Sequence, residues 1–203
     1  VTRALRVLAG LQGGAGDYPA AKLTARDAAL AAASAHDDRG AADIALFLLQ
    51  VVTNQTNELD EAEALVSGTQ AAVARAGAPP GLQVELDSAL GALRRNQGRF
   101  PEARALLEGA VARADRELPA DADITTTLVR LAGVLSRQGE DIAARRHAER
   151  AIAWQERTLG DHPYLAMSLR NLGGNLLRSG DNAEALAVLT RALTMMEKVL
   201  GAD

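Results

Sequence analysis

The chain has 203 residues, of which 48% are hydrophobic but only 2% are aromatic, and its formal net charge is −4 at pH 7. This length suffices to bury a core, and a core made mainly of Ala, Leu and Val favours closely packed helices over a β-sandwich. The weak negative charge argues against a general nucleic-acid binder. The absence of Cys excludes disulfides, thiolate metal sites and cysteine nucleophiles.

No apolar run in the sequence approaches the ~20 residues that a membrane helix requires. The longest run, 44–52, already includes Gln50. Thr2, Arg3 and Arg6 lead into a glycine-rich stretch and not into the apolar region of a signal peptide. We therefore expect a cytoplasmic protein without a membrane partner.

A period of 41 residues runs through the whole sequence. Gly180 is followed five residues later by Ala185, and the same pair recurs as Gly139 with Ala144, Gly98 with Ala103, Asn57 with Ala62, and Gly16 with Ala21. A leucine recurs in the same phase, at Leu8, Leu49, Leu90, Leu131 and Leu172. Because five units stay in phase without an insertion, the sequence predicts a single array of repeats. The approximate units in chain order are 1–40, 41–81, 82–122, 123–162 and 163–203.

Each unit is predicted to be a pair of helices. In the last unit, apolar residues before the glycine have helical spacing, as in Leu165, Leu169, Leu172 and Leu176. The Gly or Asn then ends the first helix, because both residues tolerate the left-handed conformation. Pro19 and Pro101 suit the first turn of a second helix. The recurrent Ala is expected where the two helices cross, since a larger side chain would push them apart.

Isolated motifs give little support to catalysis or to metal binding. The first unit contains Gly10, Gly13, Gly14 and Gly16, but a phosphate-binding loop also needs a preceding strand and a following Lys-Ser/Thr. We therefore expect a turn there. His36, His147 and His162 fall in three different units, and a metal site needs three or four converging ligands.

Structural roles are the simpler interpretation of these residues. His162 is expected to cap the helix that follows it, and His147 to be solvated among its neighbouring arginines. Trp154 is expected to pack between repeats. No nucleophile, base and orienting group come together in the sequence, so we expect neither an enzyme nor a bound cofactor or metal.

The last unit carries the clearest family resemblance. Leu169, Leu172, Gly173, Leu176, Ala185, Leu189 and Ala192 fall where tetratricopeptide repeats place their signature residues. The period is longer than the common ~34 residues and resembles the long-helix variety known from kinesin light chains. Similar runs occur in arrays of bacterial Ser/Thr kinases and signalling ATPases. The resemblance implies an all-α, right-handed α-solenoid of about five helix hairpins.

The resemblance also implies where a partner would bind. In this family the first helices of the hairpins line a concave groove. At the corresponding positions the chain has Phe47, Val51, Arg95, Asn96, Arg130, Arg137, Arg170, Asn171 and Arg178. Arginine binds carboxylates with two parallel hydrogen bonds, and asparagine can hold an extended peptide backbone. The sequence therefore predicts a groove for an acidic peptide or protein segment, with an apolar pocket around Phe47 and Val51.

We interpret the chain as a protein–protein interaction scaffold, and expect it to be a piece of a larger bacterial regulatory or signalling protein. One alternative is self-association through an end helix that carries Met195, Met196, Val199 and Leu200. A second is a regulatory segment of a Ser/Thr kinase that acts only within its own chain. RNA binding is disfavoured because no aromatic residues are interleaved for base stacking. The arginines could also be ordinary solvated surface.

Overall fold

The computed structural model describes residues 1–54 and 58–200, with the backbone alone described for Val199 and Leu200. These residues form ten α-helices and no strand. The helices are α1 (Thr2–Gly14), α2 (Tyr18–Ser34), α3 (Asp38–Asn54), α4 (Leu59–Arg75), α5 (Pro80–Asn96), α6 (Phe100–Glu117), α7 (Thr125–Arg137), α8 (Asp141–Thr158), α9 (Pro163–Ser179) and α10 (Asn182–Leu200).

Glycine ends the first helix of four hairpins, as the sequence predicts. Gly16, Gly98, Gly139 and Gly180 have φ values of 82, 77, 80 and 86°, the left-handed conformation that glycine adopts without steric cost. Asn57, the predicted fifth member of this set, lies outside the described residues. In these four hairpins the turn after the first helix therefore follows the period of the sequence.

Three other places in the chain depart from expectation. The stretch Gly10–Gly14, for which the sequence predicts a turn, continues α1, and the chain turns only at Gly16. His36 and Ala78 adopt positive φ values of 55 and 48° although neither is a glycine. A residue with a Cβ is disfavoured in this conformation. Histidine adopts it more often than most residues, but alanine does not, so the sequence does not predict these two turns.

The recurrent alanines lie where the sequence places them. Ala21, Ala62, Ala103, Ala144 and Ala185 are all 0% exposed. Four of the five recurrent leucines are buried as well, whereas Leu8, in the first helix of the array, is 45% exposed. The small side chain of alanine lets the two helices of a hairpin approach closely.

The chain separates into two compact units, an N-terminal unit, Val1–Leu106, and a C-terminal unit, Leu107–Asp203. In the N-terminal unit, α1 packs on α2 and α3 on α4, and α3 also contacts α2 and α5. Its apolar interior includes one cluster around Ile44 and four alanines, one around Leu46 and Leu82, and one around Leu49 and Leu93.

In the C-terminal unit, α7 packs on α8, α8 on α9, and α9 on α10. Gly173 lies at the contact of α9 with α10, where an added Cβ would come within 2.5 Å of Leu189 Cγ. Trp154 of α8 donates a hydrogen bond from Nε1 to the Asp121 carbonyl oxygen at 3.0 Å, which joins α8 to the segment between α6 and α7. These contacts hold α7 and α9 as neighbours in one layer of the unit.

Candidate peptide-binding surface

The open sides of α7 and α9 form one surface of the C-terminal unit, here called the α7/α9 face. It consists of Arg130, Gly133 and Arg137 on α7, and Met167, Arg170, Asn171, Gly174, Leu177 and Arg178 on α9. Each of these residues is exposed or half-buried, while the opposite side of each helix supplies the core, for example Leu131 and Leu172. Helical periodicity thus separates the arginines from the apolar residues of the same helices.

Arg178 is held in place by neutral partners. One of its terminal nitrogens donates to Ser136 Oγ on α7 and to Asn175 Oδ1 on its own helix. Ser136 and Asn175 are both buried. The guanidinium group satisfies the side-chain oxygen of Asn175, while Ser136 Oγ also donates a hydrogen bond to Asp141 Oδ1 at 3.4 Å. Because neither partner carries a charge, Arg178 is oriented without being neutralised.

Arg170 and Asn171 lie about two turns before Arg178 on the same helix, and both are exposed. Within the described residues, neither makes a hydrogen bond or an ion pair. Arg130, half-buried, and Arg137, exposed, each make a further polar or electrostatic contact inside the chain. The positive charges of α9 on this surface therefore have no carboxylate partner in the described structure.

Several other cations of the C-terminal unit are compensated by acids. Ion pairs between neighbouring parts of the unit are Arg145–Glu184 at 2.5 Å, Arg150–Asp115 at 2.5 Å, Arg191–Glu156 at 2.6 Å and Lys198–Asp161 at 2.5 Å. All of these involve α8 or α10, the second helices of their hairpins. Four cations of these second helices thus have a compensating acid, whereas Arg170 and Arg178 of α9 have none among the described residues.

Phe47 and Val51, the predicted apolar pocket of the N-terminal unit, are covered by contacts within the chain. Val51 is 6% exposed. Phe47 is half-buried, and the guanidinium carbon of Arg6 lies 4.1 Å from the centre of its ring. This cation–π contact and the packing of Phe47 on the alanine cluster of the first hairpin leave little apolar surface for a ligand.

Arg95 and Asn96 are also occupied, by hydrogen bonds within the N-terminal unit. Asn96 donates from Nδ2 to the Thr53 carbonyl oxygen at 2.7 Å, which satisfies an acceptor near the end of α3. Its Oδ1 accepts hydrogen bonds from Arg95 at 3.0 and 3.2 Å. Asn96 therefore joins α5 to α3, and its amide is already occupied in the free protein.

The charges near Arg6 differ from those of the α7/α9 face. Partial burial lowers the pKa of Arg6, while Asp43 and Glu85 act in the opposite direction. Loss of water around Glu85 raises its pKa, and the negative charge of Asp43 adds to this effect. Acids and arginines are thus mixed on this part of the N-terminal unit, so it has less attraction for an acidic ligand.

The histidines have structural surroundings. His162 accepts a hydrogen bond from the Tyr164 backbone N–H at 3.2 Å and caps α9, which confirms the prediction from the sequence. The prediction for His147 is wrong, because His147 is half-buried and burial lowers its pKa, with Arg146 and Arg150 adding to the effect. His147 lies on a partly buried side of α8, so water does not fully surround its ring.

Within the described ranges, His, Asp and Glu residues form no group of three or more that could hold a metal ion. Over the same residues, no helix is both long and apolar enough to span a bilayer.

The sequence did not predict that Ser136 and Asn175 hold Arg178. The repeat could have pointed to Asn175, because the equivalent positions of the other units are all apolar: Leu11, Val52, Leu93 and Val134. A single Asn among apolar residues at a core position implies a polar partner nearby. The identity of that partner depends on how α7 packs beside α9, which the period alone does not give.

Comparison with known proteins identifies the repeat. Sequence models of the tetratricopeptide repeat match residues 88–121 and 123–198, which together make up more than half of the chain. A search of curated proteins by sequence gives no match.

Solved structures with the same fold span nearly the whole chain. BtubC (BKLC) from P. vanneervenii has a TM-score of 0.71 at 20% identity, covering 98% of this chain and 81% of that one. A kinesin-light-chain-like protein of Podosopora anserina with nearly identical TPR-like repeats, in a variant form, has a TM-score of 0.64 at 20% identity, with coverages of 98% and 95%. The apo form of RapI has a TM-score of 0.58 at 12% identity, with coverages of 98% and 54%. At these identities the likeness shows the all-α solenoid fold and does not identify a ligand.

Proposed function

Because the chain belongs to the tetratricopeptide repeat family, whose members are protein–protein interaction scaffolds, we propose that its α7/α9 face binds an acidic segment of a partner protein. The fold is of a non-catalytic scaffold type, so the proposal concerns recognition and not a reaction. A larger bacterial regulatory protein in the cytoplasm is the proposed setting, supported by the resemblance of the last unit to arrays in such proteins.

The observation that supports this surface most directly is the uncompensated charge of α9. Arg170 and Arg178 lie on the same side of one helix, and neither has a carboxylate partner among the described residues. A carboxylate of a partner would receive charge-assisted hydrogen bonds there, which are stronger than neutral ones. Because Ser136 and Asn175 already orient Arg178, less side-chain entropy is lost when a ligand binds to it.

The exposed apolar side chains on the same face add to the argument. Met167 is 47% exposed and Leu177 is 52% exposed, and both flank the arginines along α9. Contacts with their apolar surface would complement the ionic contacts. The ligand that fits best is an acidic segment with some apolar character, and its binding should weaken as salt screens the charges.

The test is selection from a randomised peptide library, with free and amidated C-termini, on the whole chain. We expect enrichment of acidic peptides that is lost with Arg170→Ala and with Arg178→Ala. Arg157→Ala is the matched control, because Arg157 is an exposed arginine of α8 without a hydrogen bond or ion pair among the described residues. Enrichment that is indifferent to the α9 variants, or no acidic enrichment at all, would reject this surface as the binding site.

Self-association is a second candidate function, favoured by the exposure of α10. Leu186 and Leu193 are 69% and 59% exposed, and a second copy of the chain could cover them. Met195, which the sequence predicts for this surface, is buried, and the side chains of Val199 and Leu200 lie outside the described residues. A mass in solution that rises with concentration, and returns to the monomer value with Leu193→Arg, would support this candidate, whereas a constant monomer mass would exclude it.

A further inference from the structure

Two glycines lie in the middle of the α7/α9 face. Gly133 of α7 and Gly174 of α9 are 41 residues apart, so they hold the same position in successive units. A Cβ added at either position would meet no neighbouring side chain or backbone within 4 Å. Glycine inside a helix is less favourable than alanine by about 1 kcal/mol, yet the packing of the described chain does not require it at these two positions.

Gly173, directly beside Gly174, provides a contrast. A Cβ at Gly173 would lie 2.5 Å from Leu189 Cγ and 2.6 Å from Leu189 Cδ2, so close helix packing explains that glycine. The same explanation does not extend to Gly174, where the added Cβ would meet no atom of α10. Gly133 and Gly174 are thus helix-weakening residues on the open surface, and a glycine there leaves the helix backbone accessible to another molecule.

The surroundings of the glycines indicate what approaches. Gly174 follows Arg170 by four residues and precedes Arg178 by four, and residues with this spacing are neighbours on one side of a helix. Gly133 also has one arginine about one turn before it and another about one turn after it. Bare backbone is therefore framed by guanidinium groups on both helices.

We propose that Gly133 and Gly174 form the floor of the binding site, on which the main chain of the acidic partner lies, with its carboxylates reaching the arginines on either side. From Arg170 to Arg178 the rise along α9 is about 12 Å. An extended segment covers this distance with about four residues. The partner should therefore carry acidic groups about four residues apart with small residues between them. This inference rests on the proposed function of the α7/α9 face.

The test uses two substitutions that lengthen the side chain without removing a charge, Gly133→Gln and Gly174→Gln. The probe is the fluorescein-labelled peptide Glu-Glu-Gly-Ser-Gly-Glu-Glu, measured by fluorescence anisotropy, and the melting temperature is measured for each variant. Gln is a good helix former, so we expect a melting temperature equal to or above that of the wild type. Binding should nevertheless weaken by at least about tenfold, because the new side chains occupy the floor.

Gly109→Gln is the matched control. Gly109 is an exposed glycine of α6 in the same unit, and a Cβ there would also meet nothing within 4 Å. We expect this variant to gain thermal stability and to bind the probe like the wild type. Weaker binding by Gly109→Gln would show that the loss is not specific to the floor and would overturn the inference.

The remaining outcomes separate this inference from the proposed function. If the Gln variants of the floor bind normally while Arg170→Ala does not, the glycines are not part of the site, but the α7/α9 face still is. If Gly174→Gln lowers the melting temperature, the glycine has a packing role and the inference is wrong. If the wild type binds neither this probe nor any acidic peptide from the library, the proposed function itself fails.

Discussion

Adjacent glycines in α9 should respond in opposite directions to the same substitution. Gly173→Ala places a methyl group 2.5 Å from Leu189 Cγ, whereas Gly174→Ala places one where nothing lies within 4 Å. Both changes replace glycine by alanine inside one helix, so both reduce the conformational entropy of the unfolded chain to the same extent. The difference between the two variants therefore isolates the contact of Gly173 with Leu189.

The magnitudes follow from these contacts. Gly174→Ala should stabilise the protein by about 0.5–1 kcal/mol, the helix-propensity difference. Gly173→Ala gains the same amount but overpacks the α9–α10 contact, at a cost of about 1–3 kcal/mol. We expect Gly173→Ala to destabilise by about 1 kcal/mol. For a chain of this size each kcal/mol shifts the melting temperature by about 2–4 °C, so the two variants should differ clearly.

Thermal and urea unfolding followed by far-ultraviolet circular dichroism would measure the difference. Leu189→Ala supplies the control, because removing the Leu189 side chain also removes the clash. In that background Gly173→Ala should become as favourable as Gly174→Ala, which a double-mutant cycle detects as coupling. The reasoning is refuted if Gly173→Ala is as stable as Gly174→Ala in the wild-type background, or if Leu189→Ala does not change its effect.

Three further predictions concern single residues. Hydrogen bonds from Arg94, and to a lesser extent from Gln97, lower the pKa of Glu63 below its ordinary value of 4.5. The Glu63–Arg94 ion pair therefore stabilises the folded state above pH 4.5, and this stabilisation is lost as the pH falls through the lower pKa of the folded state. Glu63→Gln should cost up to about 1 kcal/mol at neutral pH and nothing in acid, and a cost independent of pH would exclude the ion pair. Trp154→Phe removes the donor to the Asp121 carbonyl and should cost about 0.5–1.5 kcal/mol while amide exchange between α6 and α7 accelerates; unchanged exchange would contradict the role of this bond. Ala78→Gly relieves the positive φ of 48° and should stabilise by about 1 kcal/mol, and a loss of stability on unfolding in urea would show that Ala78 is not strained.

The repeat could be predicted from the sequence because it depends on local chemistry that recurs. A glycine that ends a helix and an alanine at a helix crossing have the same effect wherever they occur, so the sequence period reveals both. The turns at His36 and Ala78 escaped prediction because residues with a Cβ occupy a conformation that they rarely adopt. Propensity alone does not single out these two positions.

The candidate site was predictable only as a set of positions. Which of them remain available depends on tertiary contacts between residues that are far apart in the sequence. Asn96 is occupied by a carbonyl 43 positions earlier, and Arg178 is oriented by a hydroxyl 42 positions earlier. Arg170, by contrast, has no such partner among the described residues. The sequence predicts all three as groove residues, but only the packing shows which of them already have a partner within the chain.

The first hairpin has a consequence for how the N-terminal unit opens. Every buried residue of α1 and α2 is an alanine, namely Ala9, Ala21, Ala25, Ala28 and Ala32. Alanine removes far less apolar area from water than leucine or valine, so each helical turn of this hairpin contributes less hydrophobic stabilisation than those around Leu46 or Leu93. The hairpin should therefore detach before the rest of its unit, with amide protons of α1 and α2 exchanging through a local opening while α3 to α5 remain folded.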